Sequence, residues 1–329
     1  MKYNKYFNLV ISILLLLVIG YLFNKYKIYI EKDDKIEDLN LIKKYLLDND
    51  NTSIYNLSSI KKPIIWIHIE YDRNLRKWES FSSRSSNELN QDYLYLTLKS
   101  IIDKCNKDFH IVLIDDSSFY NLLDNWDIDM SKVGNIQKEN IRNIALIKLL
   151  YKYGGIIMEP SFILFKSLKQ IYDNILQYDK PCLGEFQNES IESNINEFSP
   201  SLKFIGSIKN CPTIYKLGKH LEIIVNNDHT LNSKLEGNIS NWLYDKINKN
   251  EFNYITGNYL GTRDSNNKII GLDRLLGSTY IDLDCNSLGL YIPRKELLKR
   301  NVYNWFVYLD TNSVLKSNTN IGKYLLINN

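Results

Sequence analysis

Residues 139–166 read ENIRNIALIKLLYKYGGIIMEPSFILFK, and this stretch decides the fold class. Apolar residues recur at helical spacing through Ile141, Ile144, Ala145, Ile147, Leu149 and Leu150. The pair Gly154-Gly155 then ends the helix, because glycine tolerates left-handed backbone. The apolar run Ile156-Ile157-Met158 reads as a short buried strand that gives way to Glu159-Pro160-Ser161. Helix, glycine pair, strand and terminal carboxylate together predict one unit of an open α/β sheet. Such sheets bind ligands just beyond the carboxyl ends of their strands.

Working upstream, Pro63 opens a strand over 64–69, IIWIHI, apolar enough to be buried on both faces. His68 and Glu70 lie near its end. A polar loop over 71–90 carries Arg73, Arg76, Lys77 and Arg84, which either meet a diphosphate or are solvated. An amphipathic helix over 89–105 and a strand over 109–114 follow, in the βαβ order of a parallel sheet. That strand ends in Asp115-Asp116, which read equally as ligand contacts or as the cap of a helix over 117–123.

The half-motif LLYKYGG at 149–155, followed by Glu159-Pro160-Ser161, resembles the sugar-binding region of GT-A glycosyltransferases. Two groups are similar: the family with a DXD sugar-binding region, and the capsular polysaccharide synthesis glycosyltransferases. Their pattern runs S-D-x-x-R-x-x-x-L-x-K-Y-G-G-x-x-x-D-x-D, or D-x-T at its end in the capsular group. Aligned on the glycines, the family's Asp falls on Asn143, its Arg on Leu146, and its acidic motif on Glu159-Pro160-Ser161. The resemblance implies a GT-A-like α/β domain with a mostly parallel sheet and flanking helices. It implies binding of the nucleotide sugar donor by His68, Asp115, Asp116, Asn143, Gly154 and Gly155. It also implies Mn²⁺ or Mg²⁺ held by Glu159 and Ser161, since such cations take oxygen ligands. The function implied is transfer of a sugar from a nucleotide sugar donor to a glycan or glycoprotein acceptor. The departures at Asn143 and Leu146 keep open an inactive GT-A-fold protein that binds glycan or a protein partner. Arg142, one residue from Asn143, points about 100° away on the helix and is not a simple substitute for the lost Arg.

The remaining stretches bound the answer. The chain has 329 residues and a net charge of +3, too small to imply a nucleic-acid partner. Cys105, Cys182, Cys211 and Cys285 form no C-x-x-C pair, so they read as scattered core thiols. Residues 6–23 are uncharged and apolar, with no small-x-small cleavage site after them. At about 1.5 Å per residue they reach roughly 27 Å, which predicts a single membrane-spanning anchor of type II orientation. The predicted organisation is an anchor over 1–27, a stem over 28–61 and the catalytic-type domain over 62–329. Asp127-Ile128-Asp129 and Asp282-Leu283-Asp284 also read D-x-D. The second follows an expected strand at 279–281 and is the reserve metal candidate. His229, Gly261 and Thr262 sit in the polar turns expected to line an acceptor site.

Overall fold

The computed structural model describes residues 11–26, 44–46, 62–70, 91–186, 198–227 and 232–328. Contacts divide the chain into two units, Met1–Tyr45 and Leu46–Asn329. In the first, residues 11–26 form a helix whose residues are all exposed. Among the described residues, no helix is long and apolar enough to cross a membrane. The expected spanning helix thus appears only as this shorter piece; residues 6–10 lie outside the described residues, as does most of the expected stem. Leu46 belongs with the larger unit, where it makes an isolated parallel bridge to Leu113.

The larger unit is built on a six-stranded sheet. Its strands are β1 (Ile64–His68), β2 (His110–Ile114), β3 (Gly155–Met158), β5 (Cys182–Glu185), β6 (Pro200–Ser207) and β7 (Asn253–Ile255). The spatial order is β2-β1-β3-β6-β5-β7. β1 is parallel to both β2 and β3, and β5 is parallel to β7. Only β6 runs antiparallel to its neighbours, so the sheet is mostly parallel, as expected. A separate antiparallel pair joins β4 (Phe162–Leu164) to β8 (Gly289–Tyr291).

Hydrophobic pattern and turn chemistry place these strands. Ile65, Trp66 and Ile67 of β1 are fully buried, as a central parallel strand between two helical layers requires. The crossover from β1 to β2 contains the helix Asp92–Cys105; the crossover from β2 to β3 contains the helix Asn135–Tyr153. Helix Asn135–Tyr153 stops because Gly154 and Gly155 take φ of 72° and 106°. A Cβ on Gly155 would strike the Ile64 carbonyl, and one on Gly154 would come within 2.7 Å of the Lys209 backbone nitrogen. The indole Nε1 of Trp66 donates to the Gly154 carbonyl at 2.9 Å inside the core, locking helix end to central strand. The glycine pair therefore stands at the amino end of β3. Roughly 3.3 Å of rise per residue separates it from the carboxyl end by the length of the strand.

Two expectations need correction here. The expected strand at 279–281 is a coil segment, and Asp282 behind it bonds the Ser265 hydroxyl at 2.5 Å. The carboxylate of Asp284 accepts from the Asn286 amide at 2.7 Å, as a turn-forming Asp does. The reserve D-x-D is thus turn chemistry. Cys105, Cys182 and Cys211 are buried and Cys285 is exposed, all as free thiols.

Candidate functional site

Three strands end at one edge of the sheet. β1 leads through His68 to Glu70, β2 to Asp115-Asp116, and β3 to Glu159. Because these strands are parallel, their carboxyl ends are neighbours. The chain leaves β1 for β2 on one side and later adds β3 on the other, which makes a switch point in strand order. In open α/β sheets the crevice at such a point is the ligand site. β6, being antiparallel, brings its first residues to this edge: Met158 pairs with Phe204, leaving residues 200–203 beyond the end of β3.

A cleft of about 140 Å³ opens there, floored by Ile157 and Met158 and walled by the residues around these strand ends. Glu139, Arg142, Asn143 and Leu146 form one wall. Their spacing, i, i+3, i+4 and i+7, is a single helical face. Such a face spans more than about 100°, so the adjacent Arg142 and Asn143 both reach the cleft. The expected offset of about 100° between Arg142 and Asn143 is thus compatible with both lining the cleft.

Arg142 is the hub of the wall. It is only 8% exposed. Its Nε and Nη2 donate to the two carboxylate oxygens of Asp116, each at 2.6 Å, and its Nη1 donates to Glu70 at 2.8 Å. The planar guanidinium fork suits this bidentate geometry, which an ammonium could not reproduce. His68 Nε2 lies 3.0 Å from the same Asp116 oxygen that meets Arg142 Nε. The imidazole stacks on Phe119 with ring centroids 5.6 Å apart. Burial alone would raise the Asp116 carboxyl, but hydrogen bonds from Arg142 and His68 hold it well below the usual carboxylate range.

The opposite wall comes from late in the chain. Arg294 opens the helix Arg294–Lys299, donates through Nε to Gln91 at 3.4 Å, and lies 3.9 Å from Glu70. Lys295 pairs with Glu139 and lies 3.6 Å from Glu236. Lys203 of β6 also lines the cleft, with its ammonium 5.8 Å from the Tyr291 ring.

Glu159 is held by the turn it begins. Thr97 Oγ1 donates to the Pro160 carbonyl at 2.7 Å, and the Ile292 amide donates to the Ser161 carbonyl at 3.0 Å. Glu159 also acts on the buried Tyr93. Burial raises the Tyr93 hydroxyl above its usual range; Arg294 opposes this and the Glu159 charge adds to it.

The expected site residues sort clearly. His68, Asn143 and Glu159 line the cleft, and Asp116 stands behind it on His68 and Arg142. Asp115 instead takes the capping role: its Oδ1 accepts from the Ser118 amide at 2.9 Å and the Ser118 hydroxyl at 2.8 Å. Gly154 and Gly155 stand at the far end of β3, where close backbone contacts rather than a ligand demand glycine. Ser161 is fully buried, is not part of the cleft lining, and its Oγ has no hydrogen-bond partner. Gly261 and Thr262 are not in the cleft either. Gly261 has φ of 78° with Gly289 packed against its Cα, and Thr262 Oγ1 donates to the Glu185 carbonyl at 3.0 Å. His229 and the loop cations Arg73, Arg76, Lys77 and Arg84 lie outside the described residues.

Among the described residues, no group of three or more His, Cys, Asp or Glu side chains is placed to hold a metal ion. At the cleft, Glu70 and Asp116 are engaged by Arg142, and Glu139 by Lys295.

No protein-family model and no curated protein matches the chain. Among solved structures, a chain described as PaToxG glycosyltransferase is similar at 15% identity. The match covers 67% of this chain and 80% of that one, with a TM-score of 0.32, a superposition too loose to carry an argument about the cleft.

The depressed Asp116 pKa makes a stability prediction with a definite sign. A lowered folded pKa contributes stability that is complete above the unfolded value, near 3.9, and is lost as pH falls below it toward the folded value. Asp116→Asn should cost about 3 kcal/mol at pH 7, the low end for a buried pair because Asp116 stays 21% exposed. Urea unfolding of wild type and variant should show that gap shrinking steadily between pH 4 and pH 2. A gap that stays constant across that window contradicts the assignment.

Proposed function

We propose that the cleft binds a nucleotide diphosphate sugar and that the protein is a glycosyltransferase of the GT-A type. The single observation that carries this reading is the convergence at the β1/β3 switch point. His68, Asn143 and Glu159, expected from separate segments of sequence, meet there beside Arg142. The cleft's chemistry supports the same ligand class. Arg142, Arg294, Lys203 and Lys295 stand among Glu70, Glu139, Glu159 and Glu236. A ligand carrying both phosphates and hydroxyls uses both sets: guanidinium and ammonium groups meet phosphate oxygens, and carboxylates accept sugar hydroxyl protons.

The enclosed volume, about 140 Å³, is below the roughly 300–1,000 Å³ of a full ligand pocket. Only a fragment, a sugar ring or a phosphate, fits inside; the remainder of the donor extends outward along the strand ends. In this reading His68 and the Arg142–Asp116 pair fix the cleft wall, Asn143 bonds a donor hydroxyl, and Leu146 excludes water from the reacting carbon. Departure of the nucleotide diphosphate requires its growing charge to be countered in place; Arg142 and Lys295 are already paired with carboxylates, so the diphosphate would have to share or displace those partners. Mn²⁺ or Mg²⁺ remains part of the proposal with Glu159 as its protein ligand and diphosphate oxygens completing the shell. Ser161 is dropped from that set because its hydroxyl is buried away from the cleft.

A binding protein without catalysis is the second reading. Leu146 favours it, since an apolar side chain lines the cleft where the resemblance places an Arg. Calorimetric titration of UDP and GDP, with and without Mn²⁺, tests both. Binding should occur, and Glu159→Gln should weaken its metal-dependent part by at least about 10-fold, or roughly 1.4 kcal/mol. A folded wild type that binds no nucleotide diphosphate or nucleotide sugar overturns the proposal. Binding of nucleotide sugar without any turnover in the presence of glycan acceptors moves it to the second reading.

We also propose that residues 6–23 anchor the protein in a membrane. Supporting this, the described part of that stretch is a helix apolar on every side and exposed throughout, from Ile11 at 41% to Phe23 at 68%. The full chain should stay in the pellet on carbonate extraction. Release into the supernatant would remove the anchor from the account.

A further inference from the structure

A second cavity lies away from the cleft, with a volume of about 510 Å³, between the helix Lys169–Tyr178 and the edge strand β7. One wall is a stripe at i, i+4 and i+8: Gln170, Asn174 and Tyr178, all exposed. The other wall is Asn253 and Tyr254 of β7, with Tyr259 from the turn that follows. Ile171 and Ile255, 5% and 8% exposed, make an apolar floor. No lining side chain carries a charge at neutral pH.

Two details point to a ligand. The amide Nδ2 of Asn253 is buried without a hydrogen-bond partner. A buried unmet donor is costly, and a side-chain turn that brings this amide to the groove surface would let a ligand acceptor relieve that cost. Tyr254 is half-buried with its ring on Phe198 at a centroid distance of 4.1 Å, and burial and then its hydrogen bond to Glu185 raise the pKa of its hydroxyl, so only the remaining face of the residue lines the groove.

We propose that this groove binds a neutral carbohydrate, at a site separate from the cleft and independent of the reading given to the cleft. Amide side chains both donate and accept, as sugar hydroxyls do. The exposed Tyr178 ring, with the half-buried Tyr254 and Tyr259 facing it across the groove, offers apolar area with a polar rim, which suits the C–H face of a sugar ring. A charged ligand would lose hydration there and find no counter-charge, and a purely apolar one would leave the amides unmet. The volume falls within the range of small-ligand sites. An extended peptide adding to the β7 edge fits less well, because β7 has three residues and offers few ladder bonds.

Saturation-transfer NMR on the full chain tests this, with chitobiose, cellobiose, lactose and mannobiose as probes. At least one disaccharide should receive saturation on its ring C–H protons. Tyr178→Ala and Asn174→Ala, both on an exposed helix face, should each weaken that binding about three- to tenfold while leaving the unfolding midpoint unchanged. No transfer to any of the four sugars, or transfer unaltered in both variants, overturns the proposal. Extended peptides that protect β7 amides from exchange, with no sugar bound, would assign the groove to a peptide and overturn it equally.

Discussion

The site depends on one guanidinium. Arg142 reaches from the helix before β3 to Asp116 after β2 and Glu70 after β1, so a single side chain ties that helix to two strand ends. Two carboxylates placed this close in a half-buried wall repel each other and lose hydration; only a cation between them makes the arrangement tolerable. The fork geometry also sets directions, since two parallel hydrogen bonds to Asp116 leave one donor angle for Glu70. His68 is positioned through the same contact, by Asp116 on one side and the Phe119 ring on the other.

Around that clamp the fold supplies rigidity. The glycine pair at the far end of β3 lets helix and strand pack backbone to backbone, with Trp66 bonded to Gly154. The Glu159 turn is pinned by Thr97 and Ile292. Cleft residues therefore sit on elements held at both ends, which is the condition for a preorganised site. The second charged cluster, Glu185 with Arg263 and the Gly257 amide, performs a similar structural task at the β5 end. Beside it, Gly261 packs against Gly289 and Thr262 bonds the Glu185 carbonyl, both outside the cleft lining.

Much of the fold was legible because its signals are local. A helix followed by two glycines and a short apolar strand has few other solutions, and the strands β1, β2 and β3 all match hydrophobic runs. The 279–281 segment misled because β-branched and aromatic residues also occur in exposed coil, and among the described residues no strand pairs with it. The site was half legible. Carboxylates at strand ends are a positional signal, so Glu159 and Asp116 could be found, although Asp115 and Asp116 could not be told apart until Ser118 claimed one of them. Arg142 carried a signal that a strict one-for-one alignment hides: with Glu139, Asn143 and Leu146 it completes a helical face. Arg294 and Lys295 carried none, because they reach the cleft only through tertiary packing against residues distant in the chain.

The central claim is that the nucleotide diphosphate enters at the β1/β3 switch point beside the Arg142 clamp. Photolabelling of the intact chain with an azido-substituted UDP, followed by mapping of the modified peptides, tests it most directly. The account predicts label on the segments around 64–70, 139–146 and 199–203, suppressed by excess UDP. Label confined to any other part of the chain, and equally suppressed by UDP, would contradict it.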